Sequence, residues 1–364
     1  MNLNANDLLM LHFNADRVVG NETINHNYVI ENNIDVIATL NKLVNEDALI
    51  IENKPETSLP KLTLPKLKDI LRNNNLKLSG NKQELINRII ENYNVIDKAD
   101  LDLPLMYVPT EKGVQIINET QYIFHFHHSF LVSLPRAHKI AVNHINAEDK
   151  IETIYMNEIQ YEMQINHDRP RLNKLYGSLA NYYRKDKQDK ERARMFYNLS
   201  YYIQIEENLS YITEARYRDI DINDDFVNMY IEPDFEIVRF YEQLIYVDET
   251  TDNSLKNLFI KDIANFYDVN EELCTYLIDY LIAKVKQVPE YEETNALRIF
   301  NYANNTDEKD SETPIYSKND SNDEVDTENK KKKTVSPKKE VQAGSSGCLL
   351  FLILVGSIAS ALFI

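Results

Sequence analysis

The densest chemistry in the chain lies between Leu59 and Asn92, LPKLTLPKLKDILRNNNLKLSGNKQELINRIIEN. Lys61, Lys66, Lys68, Arg72, Lys77, Lys82 and Arg88 are set against Asp69, Glu84 and Glu91, a net of +4 in a chain of −18, so the remainder carries −22. A basic island in an acidic chain suits contact with phosphates. Bound lysines and arginines release counterions from a nucleic acid, while the rest of the surface repels it. The candidate contacts are Lys66, Arg72, Lys77, the loop Ser79-Gly80-Asn81-Lys82, and Arg88. The same cations also fit the solvated faces of two ordinary amphipathic helices.

A second candidate is His125-Phe126-His127-His128, with His138 and His144 downstream. The aromatic run Tyr122 to Phe126 reads as a strand, which puts His125 and His127 on one face as a possible start of a metal site. No HExxH pattern and no nearby cysteine accompany it, so no metal or other cofactor is assigned. Seven glycines, at positions 20, 80, 113, 177, 344, 347 and 356, leave no room for a P-loop or a GxGxxG fingerprint. Cys274 and Cys348 make no disulfide framework or zinc motif, which points to a reducing, intracellular setting. The opening MNLNANDLLMLHFNADRVV has no basic stretch followed by an apolar one, the pattern of a secretory signal. No paired groups have spacing that argues for catalysis, so the chain reads as a non-enzyme.

The elements that must position the basic residues are two short helices. Thr63 is placed to cap the first, Pro65 is tolerated in its opening turn, and Leu64, Leu67 and Leu71 repeat at i, i+3, i+7. Asn73-Asn74-Asn75 ends it. Leu85, Ile86, Ile89 and Ile90 make the stripe of the second. This pattern resembles the SAP motif, a helix-loop-helix that binds DNA in many chromatin, repair and transcription proteins. The resemblance rests on the leucines of the first helix, Leu76 after the turn, Ser79-Gly80-x-Lys82, and Glu84-Leu85-Ile86-x-Arg88-Ile89. Asn75 stands where the family usually has glycine, and asparagine tolerates the left-handed backbone better than most residues.

Around the motif, residues 1–58 read as a small α/β segment, with helical spacing from Ile34 to Asn45 and a short strand at Ala48-Leu49-Ile50-Ile51. Residues 94–146 read as a helix-strand segment, with Thr110 capping a helix that contains Val114, Ile116 and Ile117. The phrase from Tyr107 to His127 resembles the segment C-terminal to the SAP motif in proteins of low-G+C Gram-positive bacteria. Residues 147–300 are expected to be helical. Arg171 to Tyr183, followed by Ala193, Phe196 and Tyr197, resembles a tetratricopeptide hairpin, and Asp268 with Glu271 suggests a capping box. The fold class expected is mainly α with short β segments, and the many tyrosines read as core filler.

Residues 301–346 form an acidic and then basic linker whose composition predicts disorder, ending in Lys330-Lys331-Lys332-Lys333 and Lys338-Lys339. Cys348 to Ile364 is an uncharged apolar run of 17 residues; as a helix it spans about 25 Å against the ~30 Å hydrocarbon core. Lysines beside such a run favour the cytoplasmic side and anionic headgroups. The sequence therefore predicts a tail-anchored protein in the cell membrane with its N-terminal bulk in the cytoplasm. Its expected partners are DNA, the lipid bilayer, and a protein bound through residues 147–300. The alternative is a membrane-anchored protein-interaction scaffold in which the basic hairpin is only structural.

Overall fold

The structure is a computed structural model that describes residues 3–217 and 229–310. The described chain is mainly helical with three short strands. It divides into two compact units, Met1–Leu175 and a second that begins at Tyr176.

The first unit opens with α1 (Ala5–Asn14), where the Asn4 side chain accepts the Asp7 N–H and Asp7 accepts the Asn4 N–H. After β1 (Arg17–Val18) come α2 (Asn27–Glu31) and α3 (Val36–Asn45), the latter turning Val36, Leu40 and Leu43 inward at helical spacing. The run at Ala48 to Ile51 forms β2 (Leu49–Glu52). It pairs antiparallel with β3 (Met106–Pro109), which pairs antiparallel with β1, giving the order β1-β3-β2. All the chain between β2 and β3 is thus an excursion from one strand pair. The excursion opens with α4 (Pro55–Ser58) and is tied at its base, where the Ser58 hydroxyl donates to the Pro104 carbonyl at 2.9 Å. Within it lie α5 (Leu64–Asn73) and α6 (Lys82–Glu91).

Beyond β3, Thr110 caps α7 (Glu111–Glu119) by accepting the Gly113 N–H. Gly113 lies so close to the Ala48 carbonyl that a side chain there would overlap it. The aromatic run Tyr122–Phe126, expected as a strand, is a helix, α8. Strand propensity reflects fit to a half-buried pleat, and it yields where a helix buries the same rings. Tyr122, Ile123 and Phe126 point inward from α8; the Tyr122 hydroxyl lies 2.8 Å from His138 Nδ1, and Phe126 packs on Tyr155. α9 (Leu134–Asn143) and α10 (Lys150–Tyr161) complete this unit, with the buried Glu158 carboxylate held by Arg136 at 2.7 Å and Arg171 at 2.6 Å.

α11 (Arg169–Tyr182) carries the chain across the division, and α12 (Lys190–Tyr217) packs back on it as a helical hairpin: Tyr176 stacks on Phe196, and Gly177 lies against Ser200. α13 (Phe235–Glu242), α14 (Asp252–Ala264), α15 (Glu271–Lys286) and α16 (Pro289–Asp310) follow. α15 is capped by Asn270, which accepts the Leu273 N–H, and not by Asp268, because the helix begins nearer its first buried leucine. α16 continues past Tyr302 through Asp310, into the stretch expected as linker, and buries Ile299 and Phe300. The remaining linker and the apolar run Cys348–Ile364 lie outside the described residues. No described helix is long and apolar enough to cross a membrane.

Tyrosines fill this unit's core, and several have their hydroxyls satisfied. Tyr201 donates to the Ile231 carbonyl at 3.1 Å, Tyr241 to Asn198 Oδ1 at 2.7 Å, and Tyr197 to Asn181 Oδ1 at 3.1 Å. Burial pushes the Tyr201 and Tyr241 hydroxyls well above their ordinary range and the Cys274 thiol up to about 12, so none is poised to ionise.

Candidate nucleic-acid interface

The basic hairpin has a core of its own. Leu67, Ile70 and Leu71 of α5 meet Leu85, Ile86 and Ile89 of α6, and Leu59, Leu62 and Ile96 close the cluster. Leu64, expected in the first stripe, is exposed as the first residue of the helix, and Ile70 takes its place in the seam. Thr63 is the N-cap residue, but its side chain makes no capping bond. Asn75 takes the left-handed backbone at φ 54°, and the Leu76 N–H bonds back to the Leu71 carbonyl at 2.8 Å, turning Leu76 and Leu78 onto the core.

The loop is then built bond by bond. Gly80 sits at φ 133°, and a side chain there would collide with the Glu84 carboxylate. That carboxylate accepts the Asn81 N–H at 3.1 Å while Asn81 Oδ1 accepts the Glu84 N–H at 3.0 Å, a capping box that starts α6. Arg88 reaches back from the last turn of α6, its Nη1 donating to the carbonyls of Lys77 at 2.6 Å and Ser79 at 3.0 Å. Lys82 Nζ donates to the Pro60 carbonyl at 2.7 Å. These bonds gather Lys77, Ser79, Lys82 and Arg88 and the turn carrying Lys61 around one end of the hairpin.

The sequence-predicted contacts therefore fall into two groups. Lys82 and Arg88 hold the loop through neutral carbonyls, while Arg72 is paired with Asp69. Lys66 and Lys77 are exposed, and their ammoniums make no hydrogen bond or ion pair among the described residues; the same holds for Lys61 and for the half-buried Lys68. Lys61 is absent from the predicted set; its signal is Lys82, whose bond to Pro60 brings that turn to the loop. Sequence periodicity also misses a third segment. Asn74 Oδ1 accepts the Asp97 N–H at 2.9 Å, and the amides of Asn73 and Asn74 each donate to Asp100 at 3.0 Å, which seats Leu101 and Leu103 against the core.

The histidines do not gather as a strand would place them. His125 Nε2 turns to the Tyr155 hydroxyl at 3.0 Å, whereas His127 and His128 meet His26, about a hundred residues earlier. Spacing along the chain carries no signal for that meeting.

An autonomous apolar seam, a capped second helix and a cation-rimmed loop define a helix-loop-helix module suited to phosphate contact. The family model of the SAP domain matches residues 58–94, and this part of the chain is a SAP domain. The SAP domain points to nucleic-acid binding. No curated protein and no solved structure matches the chain, which leaves the resemblance of the Tyr107 to His127 phrase to bacterial proteins without support.

Proposed function

We propose that this protein is a non-enzymatic adaptor that holds DNA at a membrane through its SAP domain. The observation that carries this reading is the set of exposed, unpartnered lysines on a rigid loop-and-helix frame within a strongly acidic chain. Lys66 and Lys77 contact phosphates directly, and the Ser79 and Asn81 region of the loop offers polar groups to the same backbone. Lys82 and Arg88 add field strength and fix the loop, whereas Arg72 is compensated by Asp69. Contacts of this kind position a duplex and read little sequence. The uncharged run Cys348–Ile364 behind its lysine clusters supports the membrane anchor, with the described units on the cytoplasmic side. The helical residues 147–300 serve a protein partner.

The test is duplex binding by the full chain in detergent across a salt series, beside the Lys77→Glu/Lys82→Glu variant. With about two to four phosphate contacts, log K falls with log salt at a slope between about −2 and −4, and the double variant loses binding. Equal binding by the variant, or none at low salt, overturns the reading. Because Arg72, Lys82 and Arg88 are all engaged with the protein itself, the second reading is a membrane-anchored scaffold whose hairpin is structural. On that reading, DNA binding is absent while partner binding survives the charge reversal.

A further inference from the structure

The first unit brings three imidazoles together that the chain keeps far apart. His26 precedes α2, and His127 and His128 follow α8; one nitrogen from each lies within 4.8 Å of the others. The rings of His127 and His128 are 3.7 Å apart centre to centre, and His26 stacks on His128 at 5.3 Å. Phe13 walls one side, at 4.6 Å from His26 and 5.4 Å from His127. The group contains no carboxylate to neutralise protonated rings. Burial and the neighbouring His128 and His26 accordingly hold His127 below the ordinary imidazole range.

The tautomer of His127 follows from its partner. Its Nδ1 lies 2.6 Å from the Phe124 carbonyl. A carbonyl only accepts, so Nδ1 carries the proton and Nε2 presents its lone pair, the orienting bond of a metal-ligating histidine. His128 is exposed, and its ring makes no hydrogen bond among the described residues. His26 Nδ1 accepts the Tyr28 N–H at 3.2 Å, so ligation through Nε2 moves the His26 proton to Nδ1 and gives up that bond.

We propose that His26, His127 and His128 bind one divalent transition-metal ion of the zinc class, which clamps the segment before α2 to the end of α8. Three imidazoles suit zinc, nickel or copper and disfavour magnesium or calcium, which take oxygen ligands. Tetrahedral ligation at about 2.0–2.1 Å places nitrogens roughly 3.4 Å apart, so the rings close by about an ångström, a motion open to the exposed His128. The fourth position is left to water or an exogenous ligand.

The experiment is calorimetric titration of the full chain with Zn²⁺ in a non-chelating buffer, paired with Co²⁺ absorption and melting curves. One ion binds per chain, Co²⁺ develops the intense visible bands of tetrahedral nitrogen ligation, and Zn²⁺ raises the melting temperature. His26→Asn keeps a good helix cap, and His128→Asn alters an exposed side chain, so both variants fold. Each weakens binding by at least about tenfold, the least that loss of an orienting partner usually costs. The double variant loses the site, and His144→Asn leaves it intact. No saturable one-to-one binding, or binding unchanged in the double variant, overturns the proposal.

Discussion

The SAP domain and the helical region after Tyr176 handle charge in opposite ways. In the hairpin, the core is wholly aliphatic and the cations stand outside it, several without any acid partner. In the helical region, several charges are paired with opposite charges, one pair inside the core and the others at or near the surface. Asp262 is buried, accepts Arg194 Nε at 2.9 Å and Asn198 Nδ2 at 2.8 Å, and Asn198 in turn accepts the Tyr241 hydroxyl at 2.7 Å. Arg184 and Lys185 share Glu236, Lys190 meets Asp248 at 2.7 Å, and Lys286 meets Asp252 at 2.7 Å. A surface meant for phosphate needs uncompensated cations, whereas buried polar groups must find partners inside the protein. The two regions show that lysine and arginine content alone says little about nucleic-acid contact; what matters is where each charge ends.

The sharpest break of this contrast is Asp262→Ala. It strips the partner from Arg194 and Asn198 in a buried network and is expected to cost about 3–5 kcal/mol. Urea unfolding followed by tyrosine near-UV dichroism, which reports the tyrosine-rich helical core, checks this, and a loss no greater than that of a surface substitution would mean that water replaces the network. In the hairpin, the matching lesion is apolar. Leu85→Ala removes a fully buried side chain from a small core and is expected to cost about 2–5 kcal/mol, with hydrogen exchange accelerated across Lys82–Glu91. Unaltered exchange there would show that the hairpin core is not a unit.

Smaller is the effect of Asn81→Ala, which removes one half of the capping box. A loss of about 1 kcal/mol is expected, confined to amides in the first turn of α6 and visible by hydrogen exchange. The smallest effect separates the two regions by pH. Burial alone would raise the Glu236 carboxyl, but the Arg184 and Lys185 bonds outweigh it and leave the group below its ordinary 4.5. Its stabilising contribution is therefore complete above pH 4.5 and fades as pH falls through the lowered folded value. In melting curves against pH, Glu236→Gln flattens the acid limb below that point; an unchanged limb would assign acid sensitivity to other carboxylates.

The SAP helices, the turn at Asn75 and the loop at Gly80 were legible from punctuation and apolar spacing, since each depends on residues within a few positions, whereas the cap expected from Thr63 does not form and the capping box at Asn81 and Glu84 went unread. The strand at Leu49 was legible for the same reason. Tyr122–Phe126 was not, because an isolated aromatic run fits a pleat as well as a helix, and only the positions of Tyr155 and His138 select the helix. The candidate cations could be named from sequence. Their sorting into loop-holding and unpartnered groups could not, because Pro60, Lys77 and Ser79 offer only backbone carbonyls, which every residue has.

What the sequence determined by itself is local: the hairpin, its net positive charge, the helical character of the second half, and the uncharged apolar run at the end of the chain. Tertiary structure decided the rest. It set the pairing of β3 with both β1 and β2 around the SAP excursion, the seating of Leu101 and Leu103, the Arg194–Asp262 network, and the meeting of His26 with His127 and His128. Periodicity and capping act over one or two turns and leave their mark in residue order. Contacts between distant residues depend on which packed arrangement buries the most apolar surface with its polar groups satisfied, and no spacing along the chain encodes that choice.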